Sequence, residues 1–178
     1  MKTRKLGLSD IDISCIGLGT NYVGGYGLYD NIDEDEGVRL VKAALDTGIT
    51  FLDTADIYGF GRSEELVGKA IAGRRSEEVL ATKGANAFVN GERTGVDNDP
   101  KYLRKALEDS LRRLNTDYVD LYYIHRYDER TRPEDSFGEL MRMKEEGLIR
   151  AAGVSNYECP QIEASLQAGP IDALQSRY

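Results

Sequence analysis

The chain alternates short apolar segments with longer segments of helical period, and this alternation constrains the fold more than any other feature. The short segments are rich in β-branched and aromatic residues and are typical of strands. Several are apolar on both faces, as parallel strands covered by helices are. The strands are predicted at 12–19, 48–55, 78–83, 118–125, 149–156 and 171–178.

The helical segments between these strands have recognisable start and end signals. Asp33 begins a capping-box pattern, Ser63 is expected to cap the second helix, and Asp99 stands before a proline at the start of the third. The helices are predicted at about 33–48, 63–72, 99–114, 134–147 and 160–169. Because each strand-helix-strand unit is right-handed, the series predicts either an open doubly wound sheet or a (β/α) barrel.

Two observations favour the barrel. The segment GLGTNY at 17–22 lacks the third glycine of the GxGxxG pattern that a dinucleotide-binding open sheet shows after its first strand. A polar residue also stands at the carboxyl end of nearly every strand, where barrels place their chemistry. These residues are Thr20, Asp53, Lys83, His125, Ser155 with Asn156, and Gln175. The sequence therefore predicts a (β/α)8 TIM barrel, of which about six β/α units are present.

The length of the chain does not match a closed barrel. Closure needs eight strands and typically about 250 residues, whereas the sequence has 178. Without further strands, the first and sixth would be long apolar edges that invite aggregation. We therefore expect residues 1–178 to form one barrel domain that is truncated after strand six, incomplete relative to the complete folded protein.

Composition excludes several classes of partner. The chain has 23 basic and 31 acidic residues, a net charge of -8, and no cluster of Lys and Arg that would predict nucleic-acid binding. It has no apolar run of membrane-spanning length and no signal-peptide pattern, so we expect a cytoplasmic protein without a membrane partner. Cys15 and Cys159 show no paired spacing and are expected to be reduced thiols. The sequence leaves the oligomeric state open.

Four of the strand-end residues suit proton transfer to a carbonyl group. Asp53 and Lys83 end neighbouring strands and are expected to form an ion pair, and Tyr58 follows in the loop after Asp53. A lysine ammonium within about 4 to 6 Å stabilises a phenolate, which makes Tyr58 a candidate general acid. His125 is placed to hydrogen-bond and align a substrate carbonyl. Because no second His or Cys accompanies it, a metal site is not expected.

The remaining strand-end residues suit a cofactor. No side chain carries hydride, so carbonyl reduction needs a nicotinamide cofactor. Ser155, Asn156 and Gln175 offer hydroxyl and amide groups that suit the carboxamide of a nicotinamide. Gly19 and Thr20 are expected to let the backbone approach the ribose closely.

Two longer segments resemble a known family. GITFLDTADIYGFGRSEELVG at 48–68 resembles the signature of the aldo-keto reductases, and LMRMKEEGLIRAAGVSNY at 140–157 resembles their second signature. LATK and DLYYIH match the places where the family keeps its lysine and histidine. GLGTNYVGG and SEELVG are most similar to bacterial NADPH-dependent reductases of the type found in inositol-utilisation operons.

The resemblance implies a (β/α)8 barrel that uses NADPH for the reversible reduction of aldehydes and ketones. It implies a catalytic tetrad of Asp53, Tyr58, Lys83 and His125, with Tyr58 as proton donor. The cofactor-binding set is then Gly19, Thr20, Asp53, Ser155, Asn156 and Gln175. The family's segment that selects NADP over NAD would follow Tyr178, so NAD is not excluded.

Two other functions stay open from the sequence. Lys83 could serve as a Schiff-base nucleophile in a lyase, or the chain could be a cofactor-binding regulatory or sensor protein with weak turnover. The segment 84–98 shows no clear period and is expected to be a long loop walling the substrate pocket, with Tyr22 and Tyr26 as further candidate lining residues. The glycines of YGFG are expected to form a turn.

Overall fold

A computed structural model describes residues 1–24 and 33–176. The strands of this part are β1 (Thr3–Lys5), β2 (Asp12–Ser14), β3 (Gly17–Gly19), β4 (Phe51–Asp53), β5 (Val79–Gly84), β6 (Asn86–Val89), β7 (Glu92–Val96), β8 (Val119–Ile124), β9 (Ile149–Ser155) and β10 (Ala173–Gln175). The helices are α1 (Glu34–Asp46), α2 (Arg62–Ile71), α3 (Pro100–Leu114), α4 (Pro133–Glu145) and α5 (Cys159–Ser165), and a short 3₁₀ helix spans Tyr58–Gly61.

The main sheet has six parallel strands in the order β3-β4-β5-β8-β9-β10. Each strand of this sheet pairs with the one before it along the chain, so the order never reverses as it does in a doubly wound sheet. The sheet also curves strongly. Gln175 of β10 donates from Nε2 to Oδ2 of Asp53 in β4 at 3.1 Å, although three strands separate β10 from β4 in the sheet. This is the geometry of a (β/α) barrel.

Two apolar cores cover the two faces of the curved sheet. Helices α1 to α5 pack side by side on the convex face, where Leu52, Leu80 and Tyr122 of the strands meet Leu103 and Leu107 of α3. On the concave face, a smaller core is built from a hairpin and the inward side chains of the strands. Its members are Leu6, Ile11, Val79, Ala81, Leu121, Tyr123 and Ala151.

The hairpin of β1 and β2 corrects the prediction of a single first strand at 12–19. β2 pairs antiparallel with β1, and the barrel begins separately at β3. The break has a local cause. The Ser14 hydroxyl donates to the Ile16 carbonyl and accepts the N–H groups of Thr50 and Phe51, so the chain bends there. These contacts hold the hairpin against the amino end of β4, away from the strand ends that carry the polar residues.

Asp33 and Asp99 cap α1 and α3 as predicted, but Ser63 does not cap α2. The Asp33 side chain accepts from the N–H of Glu36, and Asp99 accepts from the first turn of α3. Helix α2 begins at Arg62, one residue before Ser63. The Ser63 hydroxyl is buried and donates to the carbonyl of Thr20 at 2.8 Å. It therefore ties α2 to the segment after β3.

The segment 84–98 is not the irregular loop that the sequence predicted. Strands β6 and β7 form an antiparallel hairpin beside the carboxyl ends of β5 and β8. Its turn is Asn90–Gly91, with φ of 51° and 77°, and an Asn-Gly turn with two positive φ angles is the preferred two-residue hairpin connection. None of the helices in the described parts of the chain is long and apolar enough to cross a bilayer.

Candidate active site

Asp53 and Lys83 form the centre of the polar cluster at the carboxyl ends of the strands. Oδ1 of Asp53 lies 2.8 Å from Nζ of Lys83, and the Lys83 side chain is 0% exposed. Nζ of Lys83 also donates to the carbonyl of Thr54 at 2.8 Å. The contact with Asp53 is an ion pair without an aligned hydrogen bond. A buried ammonium group is energetically unfavourable without a partner. Oδ1 of Asp53 and the carbonyl oxygen of Thr54 therefore hold Lys83 as an oriented cation.

The chain turns sharply directly after Tyr58, and the ring of Tyr58 lies against the ammonium group of Lys83. Gly59, Phe60 and Gly61 have φ of 57°, 53° and 94°. A Cβ atom on Gly59 would lie 1.8 Å from the carbonyl oxygen of Gly24, so only glycine fits there. The turn-forming role predicted for these glycines is confirmed.

The tyrosine ring lies close to both the lysine and the histidine. Nζ of Lys83 is 5.2 Å from the centroid of the Tyr58 ring, and the Tyr58 and His125 rings meet edge-on with centroids 6.1 Å apart. The Tyr58 hydroxyl makes no hydrogen bond within residues 1–24 and 33–176. A phenol near a fixed cation, with its hydroxyl free, can exchange a proton with a bound molecule.

His125 is a neutral imidazole in this setting. Burial lowers the pKa of His125 to about 3, and the positive charges of Lys83, Arg126 and Arg93 act in the same direction. Nδ1 of His125 lies 2.9 Å from Nδ2 of Asn86. The ring can therefore hydrogen-bond a ligand but does not supply a charge.

Ser155, Asn156 and Gln175 lie together at the ends of β9 and β10, as predicted. Nδ2 of Asn156 donates to the Ser155 hydroxyl at 2.9 Å and to the His125 carbonyl at 3.0 Å. The Asn156 N–H donates to the Gln175 carbonyl at 3.1 Å. Within the described chain, the side-chain carbonyl oxygens of Asn156 and Gln175 accept no hydrogen bond. These amides therefore retain capacity for a ligand, and the set fits a carboxamide.

Gly19 at the end of β3 and Thr20 directly after it have different surroundings. A Cβ atom on Gly19 would meet nothing within 4 Å, so open space adjoins the backbone at this position. Thr20 is fully buried, and its hydroxyl lies 3.1 Å from the Ser63 hydroxyl and 3.3 Å from the Asp53 carbonyl. Its side chain therefore serves the protein rather than a ligand. Tyr22 is exposed, and Tyr26 lies outside the described residues.

Three buried residues around the tetrad were missed by sequence reasoning. Glu64 is fully buried, accepting from the Thr82 hydroxyl at 2.6 Å and from Nε of Arg113 at 2.7 Å. Asp56 is buried, and burial, followed by the charge of Glu64, raises the pKa of Asp56 well above its usual value. Asn86 contacts His125. Each residue had a weak signal in the sequence. Asp56 is an acid that follows the DTA segment, Glu64 is an acid within an amphipathic helix, and Asn86 is a polar residue three positions after Lys83.

A sequence model described as the aldo/keto reductase family matches residues 15–178. The chain belongs to the aldo/keto reductase family. Members of this family are NAD(P)H-dependent oxidoreductases. The chain is 40% identical to aldo-keto reductase YhdN of Bacillus subtilis over 94% of its own length. It is 37% identical to probable aldo-keto reductase 1 of Glycine max over 98% of its own length.

Solved structures of the same family share the fold. The holo form of aldo-keto reductase AKR11C1 from Bacillus halodurans superposes with a TM-score of 0.90 and 37% identity, covering 100% of this chain and 58% of that one. The glycerol dehydrogenase AKR11B4 from Gluconobacter oxydans gives a TM-score of 0.89 and 38% identity, covering 98% of this chain and 54% of that one. A Klebsiella pneumoniae aldo/keto reductase solved in complex with NADP and acetate gives 0.71 and 32%, with coverages of 89% and 51%.

The chain spans about half the length of the curated relatives it matches. It covers 51% of the Bacillus subtilis protein and 50% of the Glycine max protein. The six parallel strands and their helices are the part of the fold that the chain shares with the solved AKR11C1 structure, of which it covers 58%.

Proposed function

We propose that this chain forms part of a single barrel domain that reduces aldehydes and ketones with NADPH. The observation that carries the proposal is the placement of Tyr58 beside the buried ion pair of Lys83 and Asp53 and edge-on to the ring of His125. This arrangement holds a proton donor, a cation and a neutral hydrogen-bonding ring at one end of the sheet.

Each residue has a separate role in the proposal. Tyr58 donates its hydroxyl proton to the carbonyl oxygen as negative charge develops there. Lys83 stabilises the phenolate that remains, and Asp53 keeps Lys83 charged and in place. His125 hydrogen-bonds the carbonyl oxygen and aligns it with the hydroxyl of Tyr58.

The cofactor would supply hydride to the carbonyl carbon, which none of these side chains can do. Asn156 and Gln175 would hold its carboxamide, because their amide groups lie at the strand ends next to Ser155 and His125. Asp53 lies in contact with Gln175 at 3.1 Å and links the cofactor side to the proton-transfer side. Gly19 would allow close approach of the ribose because no atom would meet a Cβ there.

Lys83 is poorly suited to the alternative role of a Schiff-base nucleophile. Such a lysine needs a free amine with access to substrate, but Lys83 is fully buried and engaged by Asp53 and by the Thr54 carbonyl. The same contacts support a fixed cation in a reductase.

The test is NADPH-dependent reduction of an activated aldehyde by the full-length protein and its Tyr58→Phe variant. Removing the hydroxyl is expected to lower kcat by about 10²-fold or more, since general acid catalysis contributes on the order of 10² to 10⁴. Tyr118→Phe is a matched control, because Tyr118 lies before the amino end of β8 and its ring packs under Arg75. Unchanged turnover in Tyr58→Phe would refute the general-acid role, and the same assay with NADH measures cofactor preference.

A further inference from the structure

Asn86 is a buried polar residue whose side chain is fully engaged next to His125. The residue is 2% exposed. Its Nδ2 lies 2.9 Å from Nδ1 of His125, and its Oδ1 accepts from Nε of Arg93 at 2.9 Å. The Tyr102 hydroxyl donates to its backbone carbonyl at 3.1 Å. Asn86 is therefore held at both ends of its side chain and at its backbone.

The backbone before Asn86 adopts an unusual conformation. Ala85 is buried and has φ of 99°, a left-handed region that is unfavourable for a residue other than glycine. Such strain persists only where the surrounding contacts determine the conformation. Here it places Asn86 at the start of β6, within reach of both His125 and Arg93.

The hydrogen-bond chain determines which nitrogen of His125 carries the proton. Arginine is always a donor, so the Asn86 atom facing Nε of Arg93 is the amide oxygen. The other end of the amide is then an NH₂ group, which donates to Nδ1 of His125. A neutral imidazole that accepts at Nδ1 carries its proton at Nε2.

We propose that Asn86 and Arg93 are positioning residues that hold His125 as the Nε2–H tautomer, so that Nε2 presents a hydrogen-bond donor to the substrate carbonyl. The link to the carbonyl rests on the proposed function, whereas the tautomer does not. In the opposite tautomer, Nε2 would present a lone pair to a carbonyl oxygen, and two acceptors do not form a hydrogen bond.

The charges around His125 support a neutral ring at working pH. Lys83 faces it from β5, Arg93 faces it from β7 and Arg126 follows it in the chain, and all three oppose a further positive charge. Tyr58 is the ring that packs against its edge. Because these groups keep the imidazole neutral, the hydrogen bond from Asn86 and not protonation decides which nitrogen is the donor.

The tautomer can be measured without any substrate. In the full-length protein labelled with ¹⁵N, imidazole nitrogen shifts distinguish a protonated from an unprotonated ring nitrogen, and the His125 signals are assigned by their loss in His125→Gln. The expected result is an unprotonated Nδ1 and a protonated Nε2 at neutral pH. A protonated Nδ1 would overturn the inference.

Variants then test the two positioning residues. Asn86→Asp has nearly the same shape but replaces the donor with an acceptor, so it is expected to move the proton to Nδ1 or to give a doubly protonated ring. Its kcat/KM is expected to fall about 10- to 100-fold, the range for loss of one strong hydrogen bond. Arg93→Met, which frees the amide of Asn86 to flip, is expected to give a mixture of tautomers. Glu92→Gln is the control, because Glu92 is exposed on the same hairpin.

The outcomes separate this inference from the proposed function. If the wild-type protein reduces no carbonyl, the function is refuted, while the spectrum still decides the tautomer. If it reduces carbonyls and Asn86→Asp keeps both the wild-type tautomer and the wild-type kcat/KM, the positioning role is refuted and the function stands. Should Asn86→Asp fail to fold, the wild-type spectrum and Arg93→Met decide the question.

Discussion

Replacing Asp53 with asparagine is expected to destabilise the protein as well as to impair the proposed reaction. Lys83 is 0% exposed and Asp53 is only 15% exposed, so water has little access to take the place of the lost carboxylate. The Thr54 carbonyl would remain as a neutral partner of the ammonium. Removing one member of a buried ion pair costs about 3 to 5 kcal/mol, and we expect the lower end of this range because Asn keeps an acceptor.

The assay is urea unfolding of full-length Asp53→Asn, compared with a control at an exposed ion pair. Lys5 and Asp12 are paired at 3.0 Å with side chains 55% and 60% exposed, so Asp12→Asn is expected to cost less than about 1 kcal/mol. The double variant Asp53→Asn/Lys83→Met removes the buried charge and is expected to regain much of the stability. If Asp53→Asn destabilises no more than Asp12→Asn, the ion pair is not the centre of the site as described.

Three further predictions concern stability, each measured by urea unfolding. Burial, and after it the charge of Glu64, raises the pKa of Asp56 well above its usual value, so the contribution of Asp56 to the free energy of unfolding is fully present below the usual carboxyl pKa and is lost as pH rises above it. Asp56→Asn is expected to flatten this loss, and an unchanged slope of stability against pH above the usual carboxyl pKa would contradict it. The pKa of His125 is lowered to about 3, so the folded state loses stability as pH falls from about 6.5 toward 3, and His125→Gln is expected to reduce this acid sensitivity. Gly59→Ala is expected to lower the free energy of unfolding several times more than Gly95→Ala does. A Cβ on Gly59 would lie 1.8 Å from a backbone oxygen, whereas one on Gly95 would meet nothing within 4 Å. Equal losses of stability would show that the turn after Tyr58 is not constrained.

The barrel and the polar residues at its strand ends could be predicted because they depend on local patterns. The strands at 78–83, 118–125 and 149–156 agree with β5, β8 and β9 within a residue or two. Parallel strands share one carboxyl edge, so a polar residue after each strand predicts a common site. The pairing of Asp53 with Lys83 followed from their position at the ends of neighbouring strands.

The two hairpins were missed for different reasons. In the sequence, the apolar alternation of β2 continues into β3 without a break. Only the tertiary contacts of Ser14 with Thr50 and Phe51 separate the two strands. The turn of the second hairpin has a local signal, the Asn90–Gly91 dipeptide, which is typical of a two-residue hairpin connection. That signal would have predicted β6 and β7 correctly.

The residues around the tetrad depend on contacts between distant parts of the chain. Asn86 meets a histidine 39 positions away, and Glu64 is joined to an arginine 49 positions away. Their local sequence marks Glu64 only as an acid within an amphipathic helix and Asn86 only as a polar residue near Lys83, so it does not show that either is buried at the site. Ser63 shows the same effect, because its contact with Thr20 43 positions away replaced the capping role that local sequence predicted.

In the proposed reaction, hydride and proton meet at one carbonyl group beside Tyr58, Lys83 and His125. Its most direct test is transfer of deuterium from NADPH labelled at the transferring C4 position to an aldehyde, with the full-length protein as catalyst. The expected product is an alcohol that carries deuterium on the former carbonyl carbon, and transfer is expected to be strongly slowed in Tyr58→Phe. Formation of a borohydride-trapped adduct on Lys83, or an alcohol without the label, would contradict it.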